Sequence, residues 1–305
     1  MSSAVNEITV IGATGSLARP TISRWLEQGL QVKAIVRNPE KARSRLPESV
    51  QLIHGDLRDV ESLRRGLEGT RHLYLNLSTS TLRPDLDFYT EREGIANLLM
   101  AARGQGIEQI LKISGMGVLH PEFSLQGREL FPNAIRKPGH VLLRESGIPF
   151  TLFHPSWFLD ALPRLIRGGT FTMIGQLPHP IYFNNTDDYA QQVQTAMGNP
   201  DAFNRDFAIQ GPHAILFDEA AKRFLAITAP DTPIRRIPMW LAQGMGLFNA
   251  EVRLAAHMMA FFMQFRESLV AEETWKVLGM PTTSLEDFFQ RRTPHAATQV
   301  VSASK

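Results

Sequence analysis

Residues 5–20 read Val-Asn-Glu-Ile-Thr-Val-Ile-Gly-Ala-Thr-Gly-Ser-Leu-Ala-Arg-Pro, and this stretch decides the fold. Val5 to Ile11 is a short apolar run that stops at a glycine, as a buried parallel strand does. Gly12-Ala13-Thr14-Gly15-Ser16-Leu17-Ala18 follows, with the spacing G-x-x-G-x-x-A. Gly12 permits a tight turn out of the strand. Gly15 removes a Cβ where the main chain must approach a pyrophosphate, and Ala18 is small enough for helix–strand contact. Amides around Thr14, Gly15, Ser16 and Leu17, at the start of the next helix, would then point at an anion. Pro20 suits that first helical turn, where its missing N–H has no intrahelical acceptor. A bare Gly-Ala-Thr-Gly turn is the alternative. A strand before, a helix after and a second strand about 20 residues on favour a dinucleotide loop.

Outward from the loop the pattern repeats. Ile22, Trp25 and Leu26 keep helical spacing up to Gly29, and Val32 to Val36 is a second strand. Val50–Ile53, His72–Leu77, Gln109–Ser114 and Phe150–Phe153 read as further strands. Ile95, Leu98, Leu99 and Ala102 form one apolar helix face, and a later helix runs from about Pro138 to Ser146. Such alternation with short links predicts an α/β fold with a doubly wound parallel sheet of Rossmann type over residues 1–154. A strand near 206–210 is expected to rejoin that sheet. Residues 155–292 are expected to form a smaller, mostly helical substrate-binding lobe interleaved with the first. Within them Phe171–Ile174 and Ile181–Phe183 read as strands, and Thr186-Asp187-Asp188 as a helix cap. Asp218–Thr228 and Met239 to about Val270 read as helices. Residues 293–305 are expected to be a mobile tail.

The end of the second strand decides which nucleotide is bound. An NAD site usually places Asp or Glu there for the ribose 2′-hydroxyl. This chain has Arg37, then Asn38 and, one helical turn later, Lys41. A carboxylate would repel a 2′-phosphate, whereas a guanidinium forms paired charge-assisted bonds to it, so NADP(H) is expected. A solvated Arg-Asn-Pro-Glu-Lys loop is the alternative.

Taken in order, these residues resemble the atypical short-chain dehydrogenase/reductase superfamily, and most its NmrA-like branch. The resemblance rests on the glycine loop, Val36-Arg-Asn-Pro-Glu-Lys-Ala42, Gly55-Asp-Leu-Arg-Asp59 and Leu111-Lys-Ile-Ser-Gly115. It continues in Leu143-Arg-Glu-Ser-Gly-Ile-Pro-Phe-Thr151, Phe153-His-Pro-Ser-Trp-Phe158 and Asp187-Asp-Tyr-Ala190. Later echoes are Gln210-Gly-Pro212 with Glu219, and Thr283-Ser-Leu-Glu-Asp-Phe288. The resemblance implies that Asp56 and Leu57 lie beside the adenine, although Asp56 also reads as a helix cap. It implies that Leu77, Ser78 and Thr79 flank the ribose and pyrophosphate. Ser114 and Gly115 would lie near the nicotinamide, with Pro155, Ser156 and Trp157 on its other side.

Chemistry is less legible. Reductases of this superfamily typically pair Tyr with Lys four residues on, the lysine lowering the tyrosine pKa for protonation of a carbonyl. The four tyrosines, at 74, 89, 182 and 189, are followed four residues later by Ser78, Glu93, Thr186 and Val193. The motif is missing. The family often keeps a lysine at the start of the helix ending in Leu-Arg-x-Ser-Gly. Lys137 stands near that place with Arg136 competing for it, and His140 is a second candidate proton donor. His154 stands where relatives usually carry arginine.

Composition excludes other classes. The chain has 305 residues, no cysteine and a formal charge of +2, which leaves no thiolate chemistry and no nucleic-acid footprint. There is no Gly-x-Ser-x-Gly elbow around Ser114, no His-Glu-x-x-His for zinc and no Walker A loop, so no metal is expected. Met239 to Met263, interrupted by Glu251, Arg253 and His257, is not expected to span a membrane, and no membrane partner and a cytoplasmic location follow. The expectation is an NADPH-dependent reductase of a small hydrophobic substrate such as a quinone, an enone or an aromatic carbonyl. Trp157, Phe158, Met258, Met259, Phe261 and Phe262 are candidates to line an apolar pocket. The alternative is a non-catalytic NADP(H) redox sensor. A homodimer or a regulatory protein partner is compatible with either.

Overall fold

The computed structural model describes residues 6–79, 87–119 and 131–300, without the side chains of residues 131 and 293–300. In chain order the elements begin β1 (Glu7–Ile11), α1 (Ala18–Glu27), β2 (Gln31–Val36), α2 (Pro39–Arg43) and β3 (Gln51–His54). Then come α3 (Val60–Gly66), β4 (His72–Leu75), α4 (Glu93–Ala102), β5 (Gln109–Ile113), α5 (Met116–Leu119), α6 (Phe131–Glu145) and β6 (Phe150–Pro155). The chain continues through β7 (Ile166–Arg167), β8 (Thr170–Ile174), α7 (Thr186–Ala196), β9 (Arg205–Ile209), α8 (Phe217–Thr228) and β10 (Ile234–Ile237). It ends with α9 (Met239–Gly246), α10 (Ala250–Phe262), α11 (Glu272–Leu278) and α12 (Leu285–Val300).

Two compact units share these elements. The first comprises residues up to Pro155 together with Tyr189–Ile209 and Val270–Gly279. The second comprises Ser156–Asp188, Gln210–Leu269 and the residues from Met280 onward.

The first unit is a seven-stranded sheet in the order β3-β2-β1-β4-β5-β6-β9, parallel at every pairing. Every residue of β4 and β5 is buried, because helices cover both faces of an all-parallel sheet. This is the doubly wound arrangement expected. The order reverses between β1 and β4, and such a switch point opens a crevice at the strand C-termini. β9 joins at the far edge, one residue earlier than its expected start, and Thr151 pairs with Arg205. On the other side of the unit Trp25, fully buried, donates its indole N–H to the Ala190 carbonyl at 3.0 Å. The hydroxyls of Tyr74 and Tyr189 meet at 2.9 Å. These buried contacts tie residues 189–209 to the sheet, and the two units interleave along the chain.

The second unit has a three-stranded sheet, β10-β8-β7, and an aromatic core that includes Phe171, Phe217, Phe224, Phe288 and Phe289. Several boundaries differ from the sequence reading. Ile181–Phe183 forms no named strand, and Ile181 makes only an isolated bridge to Ile215. α6 begins at Phe131, with Pro138 inside it. The long helix expected from Met239 is two helices, because Asn249 stops one and caps the next, accepting from the amides of Glu251 and Val252 at 2.9 and 3.1 Å. The tail expected from residue 293 is helical to Val300, and residues 301–305 lie outside the described residues. α12 is anchored at Arg292, which bonds Asp160 and Asp187 and stacks over Phe288 at 3.9 Å.

Candidate functional site

The glycine loop leaves β1 at the switch point. Gly12 has φ +85°, and a Cβ there would lie 2.0 Å from the Asn76 carbonyl oxygen. Only glycine therefore lets the loop pass the end of β4. The Gly15 amide closes the turn on the Gly12 carbonyl at 3.0 Å. α1 then starts with Leu17 at its cap, no side-chain cap bond and no acidic residue in the first turn. The Arg19 amide is spent on the Gly15 carbonyl at 3.1 Å and Pro20 has no N–H, so the Ala18 amide and the positive end of the dipole are left for an anion.

A cleft of about 350 Å³ opens above this loop. Gly12, Thr14 and Gly15 line it from β1, Arg37 from β2, Asp56 and Leu57 from the turn after β3, and Leu77 and Ser78 from the end of β4. Arg37 is exposed, and among the described residues no hydrogen bond or ion pair engages its guanidinium. Asp56 caps no helix, since the α3 cap is Asp59, which accepts from the Glu61 and Ser62 amides. The sequence reading missed Asn76, Arg58, Phe88 and Thr90, which also line the cleft. Asn76 Nδ2 is buried and has no hydrogen-bond partner among the described residues. An orphaned donor, an uncapped helix start and two glycines against backbone fit a dinucleotide, with Arg37 for a 2′-phosphate.

Other expected contact residues do not line this cleft. The Asn38 side chain caps α2 by accepting from the Lys41 amide at 2.9 Å, and Lys41 is exposed and does not line the cleft. Ser16 is exposed, and the Leu17 carbonyl accepts the Thr21 hydroxyl at 2.7 Å. Thr79 accepts from Arg136 at 3.0 Å. Pro155 ends β6 in the first unit, whereas Ser156 and Trp157 belong to the second. Ser156 bonds Glu267, and the Trp157 ring packs edge-on against Phe217 and Phe262.

Beyond the cleft, the ends of β5 and β6 carry a buried polar cluster. Lys112 Nζ lies 2.7 Å from the Glu91 carboxylate, and both side chains are almost wholly buried. Arg136 approaches the same carboxylate at 3.6 Å. α6 therefore turns Arg136, not Lys137, towards the sheet, and Lys137 is exposed. His140 is buried and meets the Ser114 hydroxyl at 3.1 Å. Burial, reinforced by the Lys112 charge, pushes the His140 pKa far down, so its ring is neutral and a weak acid. His154 places one ring nitrogen 3.1 Å from the Gly115 carbonyl and the other 2.8 Å from Asp206.

Burial pushes the Asp206 carboxyl up, but His154 and Arg144 outweigh it and hold the pKa below the ordinary 3.8. Stability from this pairing is full above the ordinary value and is lost as pH falls through the lower folded one. Asp206→Asn should therefore flatten that acid limb of a stability–pH curve. Identical limbs in the two proteins would contradict the assignment.

The NAD(P)H-binding family profile matches residues 12–171, which contain all of the cleft lining except Ile11. This chain belongs to that family. An NAD(P)H azoreductase of Xenophilus azovorans is 26% identical over 92% of this chain and 96% of that protein. A photosystem II assembly factor, Ycf39, of Trieres chinensis is also 26% identical, over 92% and 91%. Among solved structures, the triphenylmethane reductase of Citrobacter sp. complexed with NADP(H) superposes with a TM-score of 0.69 at 19% identity, covering 94% of this chain and 99% of that one. That last likeness speaks for the fold. For this NAD(P)H-binding chain it accords with the seven-stranded order observed.

Proposed function

We propose that this NAD(P)H-binding protein is an NADPH-dependent oxidoreductase that reduces a small, largely apolar acceptor, such as a quinone, an enone or an aromatic carbonyl. The observation that carries the reading is Arg37 at the rim of the nucleotide cleft, a cation without a counter-ion among the described residues where a 2′-hydroxyl site has a carboxylate. The similarity to an azoreductase supports the redox part. When bound, the nicotinamide supplies the hydride. The protein's share is to hold the diphosphate at the start of α1, the adenosine phosphate on Arg37 and a proton near the end of β5. Ser114 Oγ is the proton-bearing group there, backed by the neutral His140.

The second unit supports the apolar substrate class. It contains a cavity of about 310 Å³ walled mainly by Trp157, Leu177, Phe217, Met173, Val252 and Met259. Trp157 Nε1 is buried there without a hydrogen-bond partner among the described residues. A mostly apolar cavity, with Arg167, Asp218, Arg236 and Glu251 also in its lining, suits a largely apolar molecule. Of the expected pocket residues only Trp157 and Met259 line it; Phe158, Met258, Phe261 and Phe262 do not.

The test is NADPH oxidation, followed at saturating nucleotide, against quinones, enones, azo compounds and aromatic carbonyls. Silence across the panel from protein that demonstrably binds NADPH would overturn the oxidoreductase reading. Arg37→Ser should weaken NADPH roughly 10- to 100-fold, the equivalent of one lost charge-assisted hydrogen bond, and leave NADH within about twofold. Equal losses for the two nucleotides would remove the 2′-phosphate role.

One observation favours a second reading, a non-catalytic NADP(H) sensor. Tyr74 and Tyr189 are spent on each other inside the first unit, where burial raises both pKa values. A sensor must bind one redox form better than the other. Equal affinities for NADP⁺ and NADPH would count against it.

A further inference from the structure

α9 is built inside out. Its small residues face inward: Ala242 is fully buried, and Gly246 sits so close to the Arg253 backbone that a Cβ would lie 2.9 Å from its Cα. Its large apolar residues face out, with Trp240 73% and Met245 43% exposed. The link to α10 adds Leu247 at 74% and Phe248 at 94%. An ordinary surface helix does the reverse, burying its large apolar stripe. A contiguous apolar projection of this kind marks an interaction surface.

Charge selects the partner. From Thr232 through Ala250 the sequence has no acidic residue, while Arg235 lies exposed just before α9 and Arg253 lies exposed beneath its end. Arg236 is already engaged by Asp218, and Glu251, in the first turn of α10, lines the cavity of this unit and is also exposed, leaving two exposed arginines against one carboxylate. A second copy of the chain in a two-fold contact would set this basic, apolar tip against its own equivalent. An anionic lipid surface neutralises the arginines and takes up the side chains, with a tryptophan at the level where polar and apolar regions meet. No described helix is long and apolar enough to cross a membrane, so the element can only lie on one.

We propose that the α9–α10 hairpin docks this protein onto an anionic lipid surface, inserting Trp240, Leu247 and Phe248. The inner side of the same hairpin supplies Val252, Ala255 and Met259 to the wall of the apolar cavity, which the partly exposed Met245 also lines. A lipophilic molecule dissolved in the bilayer would thus meet the cavity wall at the docking site. Sequence periodicity gave no hint of this, because a spanning segment and a docking tip differ in exposure rather than in composition.

The experiment is flotation of the full chain with vesicles of phosphatidylglycerol and phosphatidylcholine, against phosphatidylcholine alone. Expected are binding that requires the anionic lipid, weakens with added salt, and shifts Trp emission to the blue in the wild type but not in Trp240→Phe. Leu247→Ser combined with Phe248→Ser should lower partitioning by at least about tenfold, since two large side chains lose their apolar environment. Both positions are exposed and outside the nucleotide cleft, so unchanged NADPH binding serves as the check on folding. The proposal is overturned if anionic vesicles leave the protein behind, or if the double variant floats as well as the wild type. It is equally overturned if the same substitutions convert a solution dimer to a monomer while lipid binding is absent, which would make this face an interface between copies. None of these outcomes bears on NADPH oxidation in solution.

Discussion

Glu91→Ala is expected to destabilise the protein by about 3–5 kcal/mol, the usual result of removing one partner from a buried ion pair. The size follows from what the substitution leaves behind. Lys112 is fully buried in β5, 2.7 Å from the carboxylate, and its only other hydrogen bond among the described residues is to the Ile113 carbonyl at 3.0 Å. Burial already pulls the Lys112 pKa down against the pull of Glu91. Without the carboxylate, the lysine must either stay charged without a counter-ion or give up its proton, and either course costs stability. Thermal unfolding should fall by on the order of 10 °C. Arg136 shares the same carboxylate, so its hold on Thr79 should loosen too.

The control decides whether the unpaired Lys112 charge sets this cost. Glu91→Met combined with Lys112→Met removes both charges and keeps similar volume. It should recover the part of the lost stability that comes from the unpaired Lys112, while Arg136 still lacks the carboxylate it shared. A single Glu91→Ala variant within about 1 kcal/mol of wild type would show that the pair is not the anchor of this region. A double variant as unstable as the single one would show that the unpaired Lys112 charge does not set the cost.

What was legible in the sequence was local. The Gly12–Ala18 loop, the apolar runs of the parallel sheet and the cation at Arg37 each lie within a few residues of the chain, and the structure has the loop after β1, strands at those runs and Arg37 at the cleft. Asn76 and Glu91 were not legible, because their significance comes from partners on other strands and helices. Asn76 matters through the loop it faces, and Glu91 through Lys112, 21 positions away. The choice between Arg136 and Lys137 needed the rotational register of α6, which a helix containing Pro138 and starting earlier than expected does not reveal from spacing. The break between α9 and α10 was recoverable in principle. Asn249 followed by Ala-Glu is an N-cap signal, but it lies in a stretch whose Met, Leu and Phe content reads as one long apolar helix. His154 shows a different limit. The departure from arginine was visible, but its compensation by Asp206 on β9 required the sheet order.

The remaining large effect falls on the glycine loop, where two glycines of equal backbone conformation separate torsional strain from loss of the site. Gly12 and Gly29 both have φ +85°, but a Cβ at Gly29 would meet nothing within 4 Å, whereas one at Gly12 would lie 2.0 Å from the Asn76 carbonyl oxygen and 2.8 Å from its carbon. Gly29→Ala should therefore cost only the left-handed backbone term, about 1–2 kcal/mol, with NADPH affinity unchanged. Gly12→Ala adds a clash with backbone that cannot swing aside. To relieve it, the end of β1 must move away from the end of β4, breaking the bond from the Asn76 amide to the Ile11 carbonyl at 2.9 Å. That movement takes the Gly15 turn and the start of α1 out of register with a diphosphate. NADPH affinity should fall by at least about 100-fold, equivalent to roughly 2.7 kcal/mol, and stability should fall further than in Gly29→Ala. Titration of both variants with NADPH, beside their denaturant curves, reads the two effects separately. If Gly12→Ala bound NADPH as the wild type does and lost no more stability than Gly29→Ala, the diphosphate could not be sitting on this loop, and the nucleotide cleft would have to be placed elsewhere in the first unit.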